Sequence, residues 1–215
     1  MDVKARECKG MNRYLTLVFL LLLLSVSSAV TAFGGQFEDG IAAYERGDYA
    51  TAFRLMKPLA DKGDAKAQHN LGVMYDYGRG VPQDTTKALK WYRRAADQGI
   101  PDAQHNLGLM YYYGQGVPQS YIKAARWYRR AADQGMPDSQ ANLGLMYYYG
   151  QGVSQNYVLA HMWLNLSASK SPASVKKKVN DAVHYRDIVD AKMTPAQIAE
   201  AERLAREWKP KKEGK

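Results

Sequence analysis

The chain is poor in cysteine and lacks the short motifs that mark common catalytic sites. Cys8 is the single cysteine among 215 residues, so the sequence cannot encode an internal disulfide framework. No Gly-x-Ser-x-Gly elbow, Cys-His pair or His-Glu-x-x-His motif is present. We therefore expect a protein that is not an enzyme, with no catalytic residues, no metal and no cofactor.

A long apolar run is also missing. The one apolar stretch, Leu15 to Val26, has about a dozen residues, whereas a membrane-spanning helix needs roughly 20. A basic start precedes this stretch, and small residues follow it and end at Ala32. This arrangement is typical of a signal peptide cleaved before Phe33, which predicts a periplasmic or secreted protein with no stable membrane span after cleavage. A retained membrane anchor is the alternative, and translation from Met11 would give a signal peptide of more usual length.

Acidic residues are outnumbered by basic ones. The chain has 30 Lys and Arg against 21 Asp and Glu, a formal net charge of +9. Residues 1–32 contain Cys8, four Lys/Arg and two Asp/Glu, so the exported chain carries +7 and no cysteine. Exported domains commonly rely on disulfides, but this one must be held together by packing alone. A basic surface outside the cytoplasm favours acidic partners or an anionic envelope polymer, and it argues against nucleic acid as the partner.

What the sequence has in abundance is a repeat of 36 residues. Residues 67–102 and 103–138 are identical at 27 of 36 positions, and tryptophan recurs at that step. The positions that recur include Trp91/Trp127/Trp163, Leu71/Leu107/Leu143, Gly72/Gly108/Gly144 and Tyr75/Tyr111/Tyr147. Self-similarity of this length predicts a stack of small structural units, each of which buries its apolar face against its neighbours.

Each unit reads as two helices joined by a glycine-rich turn. In the first helix, apolar residues from Ala67 to Tyr75 follow helical spacing, and Gly72 predicts a neighbouring helix too close for a side chain. The segment Gly-x-Gly-Val-Pro then ends this helix. Asp84 is a suitable N-cap for the second helix, which ends before Pro101. The residues that we expect to face inward there are Ala88, Trp91, Tyr92 and Ala95.

The residue pattern of one repeat unit has a close counterpart among known protein families. Ala-x-x-x-Leu-Gly-x-x-Tyr-x-x-Gly-x-Gly-Val-Pro, followed by Lys-Ala-x-x-Trp-Tyr-x-x-Ala-Ala-x-x-Gly, resembles the Sel-one-like repeat (SLR) family, a branch of the tetratricopeptide-like α-solenoids. The match is nearly complete over residues 67–138 and good over 139–168. The resemblance implies an all-α fold, a right-handed α-solenoid of stacked antiparallel helix pairs, and a scaffolding role without catalysis.

The ends of the repeat region depart from the pattern. Residues 36–64 form an opening helix pair of the ordinary tetratricopeptide kind, and the third full unit has serine at 139, 154 and 171. A standard fifth unit is therefore not expected. Valines from Val175 to Val183 instead predict one helix, and Thr194 followed by Pro195 predicts the start of another.

The Met-Thr-Pro-Ala-Gln segment at 193–197 resembles the C-terminal cap of bacterial exported members of the family. We expect its helix to present one apolar face with Leu204, Ala205 and Trp208, and we expect the basic tail to be disordered. The predicted parts are a signal peptide at 1–32, about four helix pairs at 33–171, a helical cap at 172–208 and a basic tail at 209–215.

The candidate binding residues come from analogy with tetratricopeptide grooves, where the first helix of each pair lines the concave face. The positions that correspond are His69, Asn70, Val73, Asp76, Tyr77, His105, Asn106, Leu109, Tyr112, Tyr113, Asn142, Leu145, Tyr148 and Tyr149. Further positions of the same face are Lys66, Asp102, Asp138 and Ala141.

Two kinds of side chain on this face suit an extended ligand. Asn70, Asn106 and Asn142 would form a ladder of amides that can hold a peptide backbone, or they tie neighbouring helices together. We expect Tyr112 and Tyr148 to be exposed contact residues, because the core positions next to them are already filled by tyrosine. The alternative is that these rings lie flat over neighbouring turns.

Two other clusters are weaker candidates. His69 and His105 are one step apart, but neighbouring helices lie roughly 10 Å from each other, whereas metal ligands must converge to about 2 Å from the ion. The second helices carry a basic face that is either simply solvated or a site for an anionic polymer. Its members are Lys90, Arg93, Arg94, Arg126, Arg129 and Arg130.

We therefore predict an exported adaptor that binds a protein or peptide segment on its concave face. The alternative is a binding module for peptidoglycan or another anionic envelope polymer, which would use the basic helices and the tyrosines. A cell-wall or β-lactam hydrolase is the least favoured interpretation because no catalytic constellation is visible.

Overall fold

The computed structural model describes residues 35–170 and 176–211, and the proposed signal peptide with its cleavage site lies outside them. These residues form ten helices and no strand. The helices are α1 (35–45), α2 (Tyr49–Asp61), α3 (Ala65–Tyr77), α4 (Thr85–Asp97), α5 (Pro101–Tyr113), α6 (Tyr121–Asp133), α7 (Pro137–Tyr149), α8 (Tyr157–Lys170), α9 (Lys176–Asp190) and α10 (Pro195–Glu207). Within this part of the chain, no helix is long and apolar enough to cross a membrane.

Helices that follow each other in the sequence pack against each other, so the chain forms a stack of pairs. α3 packs on α4, α5 on α6 and α7 on α8, and each first helix also packs on the second helix of the preceding pair. The buried residues form successive clusters along the stack, with Met56 and Leu71 in one, Tyr92 and Leu107 in the next, and Tyr128 and Leu143 in another. The all-α solenoid of stacked helix pairs that the sequence predicts is confirmed.

The helix boundaries follow from capping residues at repeated positions. Asp84 accepts a hydrogen bond from the backbone N–H of Lys87 at the start of α4, and Ser120 caps α6 in the same way. Gly78, the C-cap of α3, has φ +66, a left-handed conformation that glycine adopts without strain. The predicted inward residues of the second helix, from Ala88 to Ala95, are buried.

The helical glycine that recurs in each repeat has a direct steric cause. A Cβ atom on Gly72 would lie 2.4 Å from Cδ1 of Tyr92, and one on Gly108 would lie 2.4 Å from Cε1 of Tyr128. The tyrosine ring of the second helix therefore rests directly on the backbone of the first helix. This confirms the close helix approach that the sequence predicts.

A chain of hydrogen-bonded glutamines, which was not predicted from the sequence, joins neighbouring units, and the member on each first helix is buried. Gln68 donates from Nε2 to the carbonyl oxygen of Ala60 at 3.0 Å, and its Oε1 accepts from Nε2 of Gln98 at 2.8 Å. Gln104 and Gln134 repeat the arrangement one unit later. Because both amide groups are satisfied, the buried polar atoms cost little.

The glutamine chain ends where the repeat pattern ends. Gln140 still donates to the carbonyl oxygen of Ala132 at 3.2 Å, but its buried Oε1 has no hydrogen-bond partner among the described residues. The sequence explains this, because position 170, one step after Gln134, is lysine and belongs to the longer helix α8. The unit after α8 is therefore built differently.

The two C-terminal helices pack on the last repeat in different ways. α9 packs on α8 and touches α7, as a first helix does in the repeats, whereas α10 packs mainly against α8. The helix start predicted at Thr194 is confirmed and is a capping box, with the Gln197 N–H donating to Oγ1 of Thr194 at 3.3 Å and the Thr194 N–H donating to Oε1 of Gln197 at 2.9 Å. The side chains of the predicted Val175 and Val179 stripe lie outside those that the structure describes.

The expectation of a disordered basic tail is wrong for its first residues. The backbone N–H of Lys211 donates to the carbonyl oxygen of Asp133 at 2.7 Å, and its Nζ lies 3.7 Å from the Asp133 carboxylate. The tail therefore runs back to the end of α6, where an unsatisfied helix carbonyl and a negative charge attract a lysine. Residues 212–215 lie outside the described part of the chain.

Candidate partner-binding surface

We use the name first-helix face for the surface formed by the predicted binding residues of α3, α5 and α7. On this face the most exposed large side chains are the last residues of the three helices. Tyr77, Tyr113 and Tyr149 are 65%, 63% and 56% exposed, and they succeed one another at steps of 36 residues. The face therefore has a row of exposed tyrosines along one edge.

The structure corrects the expectation that Tyr112 and Tyr148 are the exposed contact residues. Both are half-buried, because each ring is packed between its neighbour in the sequence and a tyrosine that starts the next helix. The ring of Tyr112 lies 5.0 Å from that of Tyr113 and 5.1 Å from that of Tyr121, and its hydroxyl donates to Oε1 of Gln151 at 3.1 Å. These inner rings hold the exposed rings in place.

Contacts on the face favour the interpretation that two of the three asparagines tie neighbouring helices together. Nδ2 of Asn106 lies 3.3 Å from Nε2 of His69, which joins α5 to α3. Asn142 hydrogen-bonds to the hydroxyl of Tyr128, which joins α7 to α6. Asn70 donates only within its own helix, to the carbonyl oxygen of Lys66 at 3.0 Å.

The histidines of the face are also part of the packing between helices. Nδ1 of His105 lies 2.8 Å from Oγ of Ser139, and its ring lies 5.6 Å from that of Tyr128. Burial lowers the pKa of His69, and the nearby carboxylate of Asp102 only partly opposes this. Among the described residues, no group of three or more His, Cys, Asp or Glu side chains is placed to hold a metal ion.

Two cavities adjoin each other on the face. The smaller, of about 130 Å³, lies between Tyr113 and Tyr149. The larger, of about 490 Å³, lies between α5, α7, α8 and α9. Asn142 and Leu145 line both. The wall supplied by α9 was not predicted, because that segment lacks the repeat pattern from which neighbours can be inferred.

The remaining predicted residues lie beside these features. Val73 packs on the core, half-buried, and Leu109 lines the smaller cavity. Asp76 accepts a hydrogen bond from the hydroxyl of Tyr92 at 3.2 Å, and partial burial raises the pKa of its carboxyl group. The structure thus brings the α5 and α7 members together at cavities, with the α3 members one repeat away.

The arginines of the second helices are not simply solvated. The guanidinium group of Arg94 lies 4.7 Å from the ring centre of Trp91, and Arg130 lies 4.7 Å from that of Trp127. Arg93 donates to the hydroxyl of Tyr111 at 2.7 Å. These side chains cover the outer edge of the core, so much of the basic face has a structural role.

A buried histidine joins the last repeat to the C-terminal helices. Nε2 of His161 lies 3.1 Å from Oδ1 of Asp190, while its buried Nδ1 has no hydrogen-bond partner among the residues described. A proton added at Nδ1 would therefore be a buried donor without an acceptor. Burial lowers the pKa of His161, and the Asp190 carboxylate opposes this only in part.

We expect the protein to lose stability as the pH falls from 7.5 to 5.5. The folded pKa values of His69 and His161 lie below the ordinary value of 6.5, so the unfolded chain binds protons in this range that the folded chain does not. The stabilisation is complete above pH 6.5 and is lost progressively below it. Urea unfolding at both pH values measures the difference.

His161→Gln should reduce this pH dependence, because it removes one of the two groups whose folded pKa is lowered. An identical pH dependence in the variant and the unmodified protein would contradict the assignment.

The sequence profile of the Sel1 repeat matches residues 35–64, 65–100, 101–136 and 137–172, which together are well over half of the chain. The chain belongs to the Sel1 repeat family. The matched segments coincide with the helix pairs from α1/α2 to α7/α8. Proteins of this family serve as protein-interaction scaffolds and are typically not catalytic.

Curated relatives of this Sel1 repeat protein match over short stretches. The chain is 35% identical over 75 residues to DAP3-binding cell death enhancer 1 of Mus musculus, a match that covers 31% of this chain and 15% of the mouse protein. It is 35% identical over 63 residues to the ERAD-associated E3 ubiquitin-protein ligase component HRD3A of Arabidopsis thaliana, covering 29% of this chain and 9% of the plant protein. The chain thus spans a small part of either relative.

Solved structures match over most of the chain. A protective antigen present in uropathogenic Escherichia coli strains, which displays an SLR fold, is 34% identical with a TM-score of 0.70, covering 82% of this chain and 37% of the antigen. A Sel1 repeat protein from Oxalobacter formigenes is 28% identical with a TM-score of 0.62, covering 79% of this chain and 74% of that protein.

Proposed function

We propose that this Sel1 repeat protein is an exported scaffold, not an enzyme, that binds an extended segment of a protein partner along the first-helix face. The observation that carries the proposal is the row of exposed tyrosines, Tyr77, Tyr113 and Tyr149, at equivalent positions of successive repeats. An extended polypeptide also repeats its side chains at regular intervals, so a regular row of rings can contact it at several points. Tyrosine is enriched at such contacts because its ring is apolar and its hydroxyl is polar.

The support behind these rings favours binding as well. Tyr113 packs edge to face on Tyr112, and Tyr149 packs on Tyr148 with ring centres 4.7 Å apart. A ring that is already held in one orientation loses less conformational entropy when a partner binds. The cavity of about 130 Å³ between Tyr113 and Tyr149 offers room for a small side chain of the partner.

The names of the relatives support a general role in protein binding. One is named as DAP3-binding, and the other is named as a component of a ubiquitin ligase. By analogy, we place this chain as a non-catalytic subunit that holds a protein partner. Export is the part of the proposal that rests on the apolar N-terminal stretch alone, and the N-terminal sequence of protein recovered outside the cytoplasm, beginning near Phe33, checks it.

We expect Tyr113→Ala and Tyr149→Ala to weaken partner binding without unfolding the protein. The probe is a set of 12-residue peptides that the unmodified protein selects from a random displayed library. Each truncation should cost about 1–2 kcal/mol of binding free energy, while the free energy of unfolding changes by about 0.5 kcal/mol or less because both rings are exposed. Isothermal titration and thermal unfolding measure the two effects.

Ile122→Ala is the matched control, because Ile122 is 56% exposed on α6, away from the first-helix face. It should leave peptide affinity unchanged. Equal losses of peptide affinity in all three variants, or no loss in the tyrosine variants, would show that the binding site does not lie on this face.

The alternative partner is an anionic envelope polymer such as peptidoglycan. A groove of about 520 Å³ on α6, lined by Arg126, Arg129 and Arg130, is the feature that favours it. Sedimentation with purified peptidoglycan separates the two proposals, because binding through exposed charges collapses at high salt whereas binding through aromatic rings largely survives.

A further inference from the structure

Arg79 lies at the α3 end of the first-helix face, in the turn that follows α3, and is half-buried. Three tyrosine rings surround its guanidinium group. The central carbon of that group lies 5.4 Å from the ring centre of Tyr44, 5.4 Å from that of Tyr49 and 5.1 Å from that of Tyr77. Nη1 also donates a hydrogen bond to the hydroxyl of Tyr44. These cation–π contacts and the hydrogen bond hold the flat group in one orientation.

The later repeats show that the fold does not need a charge at this position. Gln115 and Gln151 follow Arg79 at steps of 36 residues. Gln151 makes a comparable contact with the preceding unit, because its Oε1 accepts a hydrogen bond from the hydroxyl of Tyr112 at 3.1 Å. A neutral glutamine is therefore sufficient to tie this turn to a tyrosine of the preceding unit. The tie does not explain why the first of the three positions carries a positive charge.

The charge of Arg79 has no carboxylate partner in the part of the chain that the structure describes. No Asp or Glu side chain there forms an ion pair with it, and the groups closest to its charge are the surrounding tyrosines. A guanidinium group has five N–H donors, and the hydrogen bond to Tyr44 engages one of them. The donors that remain are sufficient to hold both oxygens of a carboxylate.

The position of Arg79 suits a segment that follows the row of exposed tyrosines. Tyr77 contacts the guanidinium group and is also the first member of the row that continues with Tyr113 and Tyr149. A partner segment that covers Tyr77 therefore passes beside Arg79. Because the rings already fix the guanidinium group, pairing it with a carboxylate loses less conformational entropy than pairing a free arginine.

We propose that Arg79 is the anchor for a carboxylate group of the partner segment. The proposal rests on the proposed function and adds the chemistry of the residue that fixes the segment on the face. The carboxylate is either that of an aspartate or glutamate side chain or that of the C-terminal residue, since both present the same pair of oxygens. Pairing at one end of the tyrosine row sets the register and the direction in which the segment lies.

The test compares peptides that differ only in one carboxylate. Each 12-residue peptide selected by the unmodified protein is synthesised unchanged, with each acidic residue replaced in turn by the corresponding amide, and with its C-terminus amidated. We expect one of these changes to weaken binding about three- to tenfold, and the change that does so shows whether a side chain or the C-terminus is bound. The loss should shrink at high salt, because the site is partly open to solvent.

Variants of the protein assign this loss to Arg79. Arg79→Gln introduces the residue that the two later units carry, so we expect the fold to be retained, which thermal unfolding checks. This variant should bind the acid and amide forms of each peptide with equal affinity, whereas Arg79→Lys, which keeps the charge, should retain part of the difference. Arg126→Gln, the same change at an exposed position on α6, should preserve the difference in full. Tyr113→Ala should weaken both forms by the same factor.

The proposal and the function on which it rests fail in different ways. If peptides bind through the tyrosines but their acid and amide forms bind alike, or if the difference persists in Arg79→Gln, Arg79 is not a carboxylate anchor and the proposed function stands. If no peptide binds the folded protein, the proposed function and this anchor are both wrong.

Discussion

Trp163→Ala is expected to lower the free energy of unfolding by about 3–5 kcal/mol, because truncating a buried tryptophan removes apolar contact and leaves a cavity. Trp163 is only 1% exposed on α8. Its ring packs edge to face on Trp208 with centres 6.1 Å apart, and the guanidinium group of Arg129 lies 5.2 Å from its centre. The side chain therefore joins the last repeat to the end of α10, and its loss should loosen both. Urea unfolding followed by circular dichroism measures the change.

Trp127→Ala is the matched control, one repeat earlier. The sequence places Trp127 at the same inward position, but the structure shows it half-buried at the edge of the core beneath Arg130. Its truncation should therefore cost clearly less than that of Trp163, since less apolar surface is re-exposed. A loss from Trp127→Ala that equals or exceeds that from Trp163→Ala would show that the repeat position, and not the individual burial, sets the cost.

Gly108→Ala is expected to destabilise the protein by about 1–3 kcal/mol, the usual cost of forcing an extra group into a packed core. The new Cβ would lie 2.4 Å from Cε1 and 2.5 Å from Cδ1 of Tyr128, so the buried ring or one of the helices must move. Alanine favours a helix over glycine by about 1 kcal/mol, and the steric cost must exceed that gain. Thermal and urea unfolding check the sign as well as the size.

Gly35→Ala tests the same substitution in a helix without the steric conflict. No described heavy atom lies within 4 Å of a Cβ built on Gly35, and this glycine is the first residue of α1, so the change should be close to neutral. If Gly108→Ala were as harmless as Gly35→Ala, the close approach of α5 and α6 would not be a requirement of the fold.

The repeats were predictable because the same helix pair, with the same buried residues, occurs several times along the chain. Glycine at position 72 and again 36 residues later, next to a leucine that must be buried, indicates a close helix contact. The recurring inward residues of the second helix, such as Tyr92, are then needed to fill it. Because the units are nearly identical, each position predicts the role of the equivalent position in the next unit. Helix boundaries and core positions therefore follow from the spacing.

Predictions about the binding face were weaker because exposure on a helix depends on contacts from other helices. Tyr112 and Tyr113 are adjacent and chemically identical, and contacts from Tyr121 and Gln151 leave the first half-buried and the second exposed. Likewise Asn106 could face a ligand or a neighbouring helix, and the position of His69 places it against the helix. Spacing along one helix carries no information about such contacts.

The sequence by itself determined that this protein is a stack of helix pairs, because its apolar residues, glycines and caps recur at 36-residue steps and only stacking buries them. The tertiary structure alone decided how the stack ends. α9 takes the place of a further first helix while α10 turns back onto α8, and this arrangement encloses the cavity of about 490 Å³. The physical reason is that the cap has no internal repeat, so its neighbours are chosen by long-range packing that no local pattern records.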